Sequence, residues 1–128
     1  MDGNRSITLT AHDDGTVTAE NRHGAAVTVD GKGERGFTPL ELFLASLGSC
    51  SAVDFVELMR KQRAPVTPLA VTVEGQKEDQ RMLWLRVSYL VDTDVVEAKA
   101  QRALTKTEGL CTVSRTLTNG SPVEHTLA

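Results

Sequence analysis

Thr38-Pro39-Leu40-Glu41-Leu42-Phe43-Leu44-Ala45-Ser46-Leu47-Gly48-Ser49-Cys50 is the stretch whose reading decides the fold. Thr38 suits a helix N-cap, Pro39 the first helical position, and Glu41 the position whose carboxylate reaches back to the cap. From Leu40 to Cys50 the residues are apolar or small almost all round, so this helix is expected to be buried on most sides. Past Asp54 the pattern turns amphipathic, with Phe55, Val56 and Met59 set against Glu57, Arg60 and Lys61. The helix is expected to run to about Arg63 and to stop before Pro65. Its roughly 25 residues would span about 37 Å, which is long for a chain of 128 residues. Either Gly48-Ser49 bends it, or a partner subunit covers its apolar circumference.

Upstream of this helix the sequence reads as a meander. Ile7, Leu9 and Ala11 alternate with polar residues, and Asp13-Asp14-Gly15 marks a turn. Val17 and Ala19 alternate again, Asn21-Arg22-His23-Gly24 turns, and Val27 and Val29 belong to a third strand. Gly31 to Gly36 is a glycine-rich loop without the spacing of a phosphate loop. Downstream, strands are expected at Leu69–Glu74 and Leu83–Val91, separated by a polar turn. Asp94-Val95-Val96-Glu97 has capping-box spacing and should open a helix to about Thr107, with Gly109 at its C′ position. Asn119-Gly120-Ser121-Pro122 reads as a turn, and Val123–Leu127 as a last short strand. The order βββ–α–ββ–α–β is α+β, with antiparallel strands segregated from the helices, in one domain over residues 1–128.

Composition narrows the function. Hydrophobic residues make up 40% and charged residues 24%, ordinary for a soluble globular protein. A net charge of −3 and an aromatic content of 4% argue against nucleic-acid binding, which needs a basic face or stacking platforms. Unbroken apolar runs are too short for a spanning helix, and no membrane partner is expected. The N-terminal residues lack signal-peptide architecture, so a cytoplasmic location is expected.

Cys50 and Cys111 are the only cysteines, and in a reducing compartment they are not expected to form a structural disulfide. Cys50, amid small residues, reads either as a small core hydrophobe or as a thiol that a small molecule can approach closely. Cys111 is followed by Thr112–Leu117. If that segment is a short helix, Cys111 sits at its N-terminus, where the dipole favours a thiolate and Arg115 adds positive charge. Otherwise Cys111 plugs the core. His12, His23 and His125 lie in no ligand-type spacing with the cysteines, so neither metal nor cofactor is expected. The charged candidates are Arg22, Glu34, Arg35, Glu41 and Asp54. Asp54, one turn after Cys50, shares its helix face and should push that thiol upward. Arg35 is the first choice for an offsetting cation, because its glycine neighbours free the loop to fold over the helix start. Arg22 follows, then Arg115.

Two segments resemble the OsmC/Ohr family. Gly36 through Cys50 is similar to its "P-E-x-L-x-x-A-x-x-x-C" helix, and Cys111-Thr112-Val113-Ser114-Arg115-Thr116-Leu117 to its "C-P-V-S-R-T-L" segment. Leu40 stands where the peroxidase branches carry Glu, with Glu41 one residue later, as in an OsmC-like branch with "P-x-E-L" and "G-x-C-S-A-x-D". The resemblance implies an intertwined homodimer around buried central helices, with two active sites at the subunit interface. It implies reduction of organic hydroperoxides or hydrogen peroxide, with Cys50 peroxidatic, Cys111 resolving and an external dithiol as reductant. The other reading is an OsmC-like dimer that binds a small hydrophobic or reactive ligand without efficient turnover.

Overall fold

The computed structural model describes Gly3 and residues 5–127. The order is β1 (Thr8–Ala11), β2 (Thr16–Glu20), β3 (Ala26–Asp30), α1 (Pro39–Lys61), β4 (Ala70–Glu78), β5 (Arg81–Leu90), α2 (Glu97–Leu110) and α3 (Thr112–Asn119). This is the expected α+β arrangement with antiparallel sheets. The chain divides into two compact units, one up to Phe43 and one from Leu44 onward.

In the first unit, β1, β2 and β3 form an antiparallel sheet in that order, with Leu9 opposite Ala19 and Val17 opposite Val29. Ala19 and Val29 are buried, but Ile7 and Leu9 are exposed, so the apolar side expected of the first strand is not covered. Asp30 organises the loop that follows. Its carboxylate accepts from the Lys32 and Arg35 backbone N–H groups. Gly36 is required here, because a Cβ would lie 2.2 Å from the Thr28 carbonyl oxygen. The capping box forms as expected: Thr38 N–H donates to Glu41 Oε1 at 2.9 Å, and Glu41 N–H to Thr38 Oγ1 at 3.1 Å.

In the second unit, α1 runs to Lys61, two residues short of the expected end. Arg63 takes a left-handed φ of 60°. Its N–H donates to the Arg60 carbonyl and that of Ala64 to the Met59 carbonyl, the paired bonds of a Schellman stop. β4 and β5 make a longer hairpin than expected, turning at Asp79 with a φ of 55°. Phe55, Met59 and Ala103 form the core, with Leu58, Tyr89 and Leu104 packed around them. Gln62 ties the end of α1 to α2: it donates to the Lys99 carbonyl at 2.9 Å and accepts from Arg102 at 2.8 Å.

Three expectations need correction. Asp94 does not cap α2; the helix opens at Glu97 behind Val96, with no side-chain cap, because Asp94 still lies in the preceding turn. Gly109 is inside the helix, which continues to Leu110 because Cys111, not a glycine, makes the stop. Residues 121–127 are not a strand. Pro122 removes a donor, Val123 and Leu127 are exposed, and no described strand pairs with them to complete a ladder. The helix between Leu40 and Cys50 is also less covered within the chain than its composition implies. Leu47 and Gly48 are buried, while Leu40 remains 37% exposed. By length and composition alone α1 would pass as a membrane span. Its unbroken apolar runs are nevertheless short, because single small or polar residues interrupt them without lowering the average much.

Candidate active site

The site is built where α1 meets the junction of α2 and α3. Gly48 permits the approach of α1 to β4: a Cβ there would lie 2.7 Å from Val73 Cγ2. Two residues later α1 presents Cys50, half-buried, and one turn on, Asp54. Cys111 arrives from the other side and is fully buried. It ends α2, with its N–H donating to the Thr107 carbonyl. It also caps α3, with its Sγ accepting from Ser114 N–H at 3.4 Å. The conditional short helix after Cys111 is therefore formed.

The sulfurs of Cys50 and Cys111 and a carboxylate oxygen of Asp54 all lie within 4.8 Å of one another. Ser51, buried, donates its hydroxyl to Cys111 Sγ at 3.5 Å. Tyr89 is hydrogen-bonded to Ser51 and its ring packs on Phe55 with centroids 4.7 Å apart.

The two thiols are driven apart. Burial pushes Cys50 up; the Val113 and Thr112 N–H groups pull it down, while its own hydrogen bond to Cys111 and the charge on that sulfur hold it up. Burial also opposes ionisation of Cys111. Ser51, the Cys50 thiol and the N–H groups of Ser114 and Val113 outweigh it, and Cys111 falls below the usual thiol range. Of the pair, Cys111 is the sulfur that gives up its proton more readily, with the Cys50 thiol hydrogen-bonded to it. The strongest influences on both sulfurs are burial and hydrogen bonds, and no guanidinium is among them.

The other candidate residues have partners of their own. Arg35 makes ion pairs with Asp14 at 3.1 Å and Asp30 at 3.4 Å. Arg22 donates to His23 Nε2 at 3.2 Å. Glu41 is the capping carboxylate, and Arg115 donates to the Gly109 carbonyl at 3.2 Å. Sequence reasoning missed Ser51 and Tyr89. Ser51 adjoins Cys50, but its role depends on a sulfur 60 residues away. Tyr89 was visible only as a strand residue.

A family model described as OsmC-like protein matches residues 31–126. The chain belongs to the OsmC-like family. This OsmC-like chain is 28% identical over 116 residues to protein YhfA of Escherichia coli K12, covering 86% of the chain and 87% of the relative. An OsmC-like protein from Mycoplasma pneumoniae superposes with a TM-score of 0.80 at 18% identity, covering 92% of this chain and 89% of that one. The organic hydroperoxide resistance protein OhrB of Bacillus subtilis does so with a TM-score of 0.57 at 18% identity, covering 88% and 90%. These structures share the fold.

Proposed function

We propose that this chain is a thiol-dependent peroxidase, reducing organic hydroperoxides or hydrogen peroxide through Cys50 and Cys111 in oxidative or osmotic stress defence. The observation that carries this is the pair of sulfurs within 4.8 Å of each other, hydrogen-bonded, with Cys111 the one whose ionisation is favoured. Cys50 is the half-buried residue of the pair and Cys111 the buried one. Its proton passes to the Cys111 sulfur as its own sulfur attacks the terminal peroxide oxygen. The S–O bond forms, the O–O bond breaks, and the departing alkoxide takes the proton from Cys111. The restored Cys111 thiolate then attacks the Cys50 sulfenic acid, forming the disulfide and expelling hydroxide. An external dithiol reduces the disulfide. Activation of Cys50 thus runs through a neighbouring sulfur rather than through an arginine.

The resistance to organic hydroperoxides in the name of the Bacillus relative supports the substrate class. The reading includes a homodimer built on α1, a cytoplasmic location, and neither nucleic acid nor membrane as partner. The exposed apolar surface of α1 supports the dimer: Val53 is 69% exposed, and an open groove lined by Leu44, Ala45, Gly48, Ala52, Val71 and Val73 runs beside it. The upward shift of Cys50 favours the second reading, ligand binding without efficient turnover. Dithiothreitol-dependent consumption of cumene hydroperoxide and of hydrogen peroxide decides between them. Catalytic consumption lost in Cys50→Ser supports the peroxidase, and consumption no faster than free dithiothreitol supports ligand binding.

A further inference from the structure

We propose that Cys50, Cys111 and Asp54 form a binding site for a zinc-class divalent cation that is open in the reduced protein and destroyed when the two sulfurs join. Zinc takes thiolates at about 2.3 Å and carboxylate oxygens at about 2.0–2.2 Å, in tetrahedral sites. Two sulfurs on one such ion lie roughly 3.7 Å apart. The three ligand atoms here already lie within 4.8 Å of one another, so side-chain adjustment of about an ångström closes the set. Two sulfurs and one oxygen select a borderline-soft ion over magnesium or calcium, which require oxygen donors.

The surroundings suit a bound ion. Backbone N–H groups of Thr112 and Val113 face Cys50, and those of Val113 and Ser114 face Cys111, with the Ser51 hydroxyl added. Donors of this kind orient thiolate ligands and spread their charge. Cys50 and Asp54 are half-buried, so two of the three ligands are open to an ion arriving from solvent. No spacing motif announces this site. Its two α1 ligands are four residues apart, and the third lies 61 residues beyond Cys50.

The ion and a peroxide would compete for the same sulfur lone pairs. Oxidation by a hydroperoxide converts two thiols and the peroxide into a disulfide, an alcohol and water. It removes both sulfur ligands and releases the ion. The site would therefore couple zinc release to peroxide.

The test uses the full reduced chain, freed of metal and titrated anaerobically with zinc against a chromophoric chelator, then with cadmium. The expected result is one ion per chain, with a sulfur-to-cadmium charge-transfer band in the ultraviolet. Asp54→Asn should weaken binding at least as much as loss of an outer-shell partner does, roughly 10-fold or more. Cys50→Ser and Cys111→Ser should each lose the intensity of one thiolate. One equivalent of hydrogen peroxide should release the ion. No charge-transfer band, or an affinity unchanged in Asp54→Asn, overturns the site. Circular dichroism of each variant separates ligand loss from misfolding. Peroxide consumption measured on the same metal-free protein keeps the two ideas apart. Turnover without metal binding refutes this site alone, and metal binding without turnover refutes the peroxidase alone.

Discussion

Replacing Ser51 with alanine isolates the hydrogen bond that does most to favour ionisation of Cys111. The hydroxyl donates across 3.5 Å to Cys111 Sγ in a buried setting. Hydrogen bonds to charged groups contribute about 1.5–3 kcal/mol. The length of this one, and a sulfur acceptor, put it at the lower end. One pKa unit corresponds to about 1.4 kcal/mol, so Cys111 should rise by about one unit in Ser51→Ala. The sign follows from which form is stabilised: the donor favours the thiolate, so its loss favours the protonated thiol. The assay is the ultraviolet absorbance of the thiolate against pH in metal-free protein. Both the parent and Ser51→Ala carry Cys50→Ser, so that only Cys111 titrates as a thiol. Burial raises the Tyr89 phenol above its ordinary range, which keeps its absorbance change clear of the thiolate window. Ser49→Ala is the control, since that hydroxyl bonds the Ser46 carbonyl instead. A Cys111 titration that does not move in Ser51→Ala would refute the idea that this hydroxyl stabilises the thiolate.

Other outcomes follow from the packing. Gly48→Ala gains up to about 1 kcal/mol of helix propensity. It also forces a Cβ to within 2.7 Å of Val73 Cγ2, and overpacking of that kind costs about 1–3 kcal/mol, so a net loss is expected in urea unfolding. Arg63→Gly relieves the left-handed residue after α1 and should stabilise by about 1 kcal/mol, read in the same assay. Thr107 has a buried hydroxyl with no partner among the described residues. Thr107→Val should therefore leave stability unchanged or raise it by about 1 kcal/mol; a large loss would mean that the hydroxyl has a partner in the assembled protein. Light scattering at micromolar concentration should give about twice the 13.8 kDa chain mass, and a stable monomer would remove the dimer.

The sequence made α1 legible because three independent signals coincide at its start: a Thr cap, Pro at the first position and a reciprocating Glu41. Its stop was less legible. A left-handed Arg63 has no compositional signature, whereas a glycine would have had one. The end of α2 failed for the mirror reason. Gly109 looks like a stop, but the chain turns only at Cys111, where one residue closes α2 and caps α3. The last segment has the apolar alternation of a strand, yet a strand exists only where a neighbour offers a ladder. In the site, the i,i+4 relation of Cys50 and Asp54 was visible. Their meeting with Cys111 needs the tertiary fold, as does the Ser51 bond that lowers that thiol. Charge reasoning looked for a guanidinium beside Cys50, while the fold gives Arg35 two aspartates and surrounds the sulfurs with N–H and O–H donors.

The most direct test of the dithiol mechanism is intact-mass analysis of the reduced, metal-free chain after one equivalent of cumene hydroperoxide. A loss of about 2 Da, with Cys50 and Cys111 recovered in one disulfide-linked peptide pair, is the expected result, since resolution removes the two thiol hydrogens. Unchanged mass, or sulfinic acid on Cys50 with Cys111 still reduced, would contradict it.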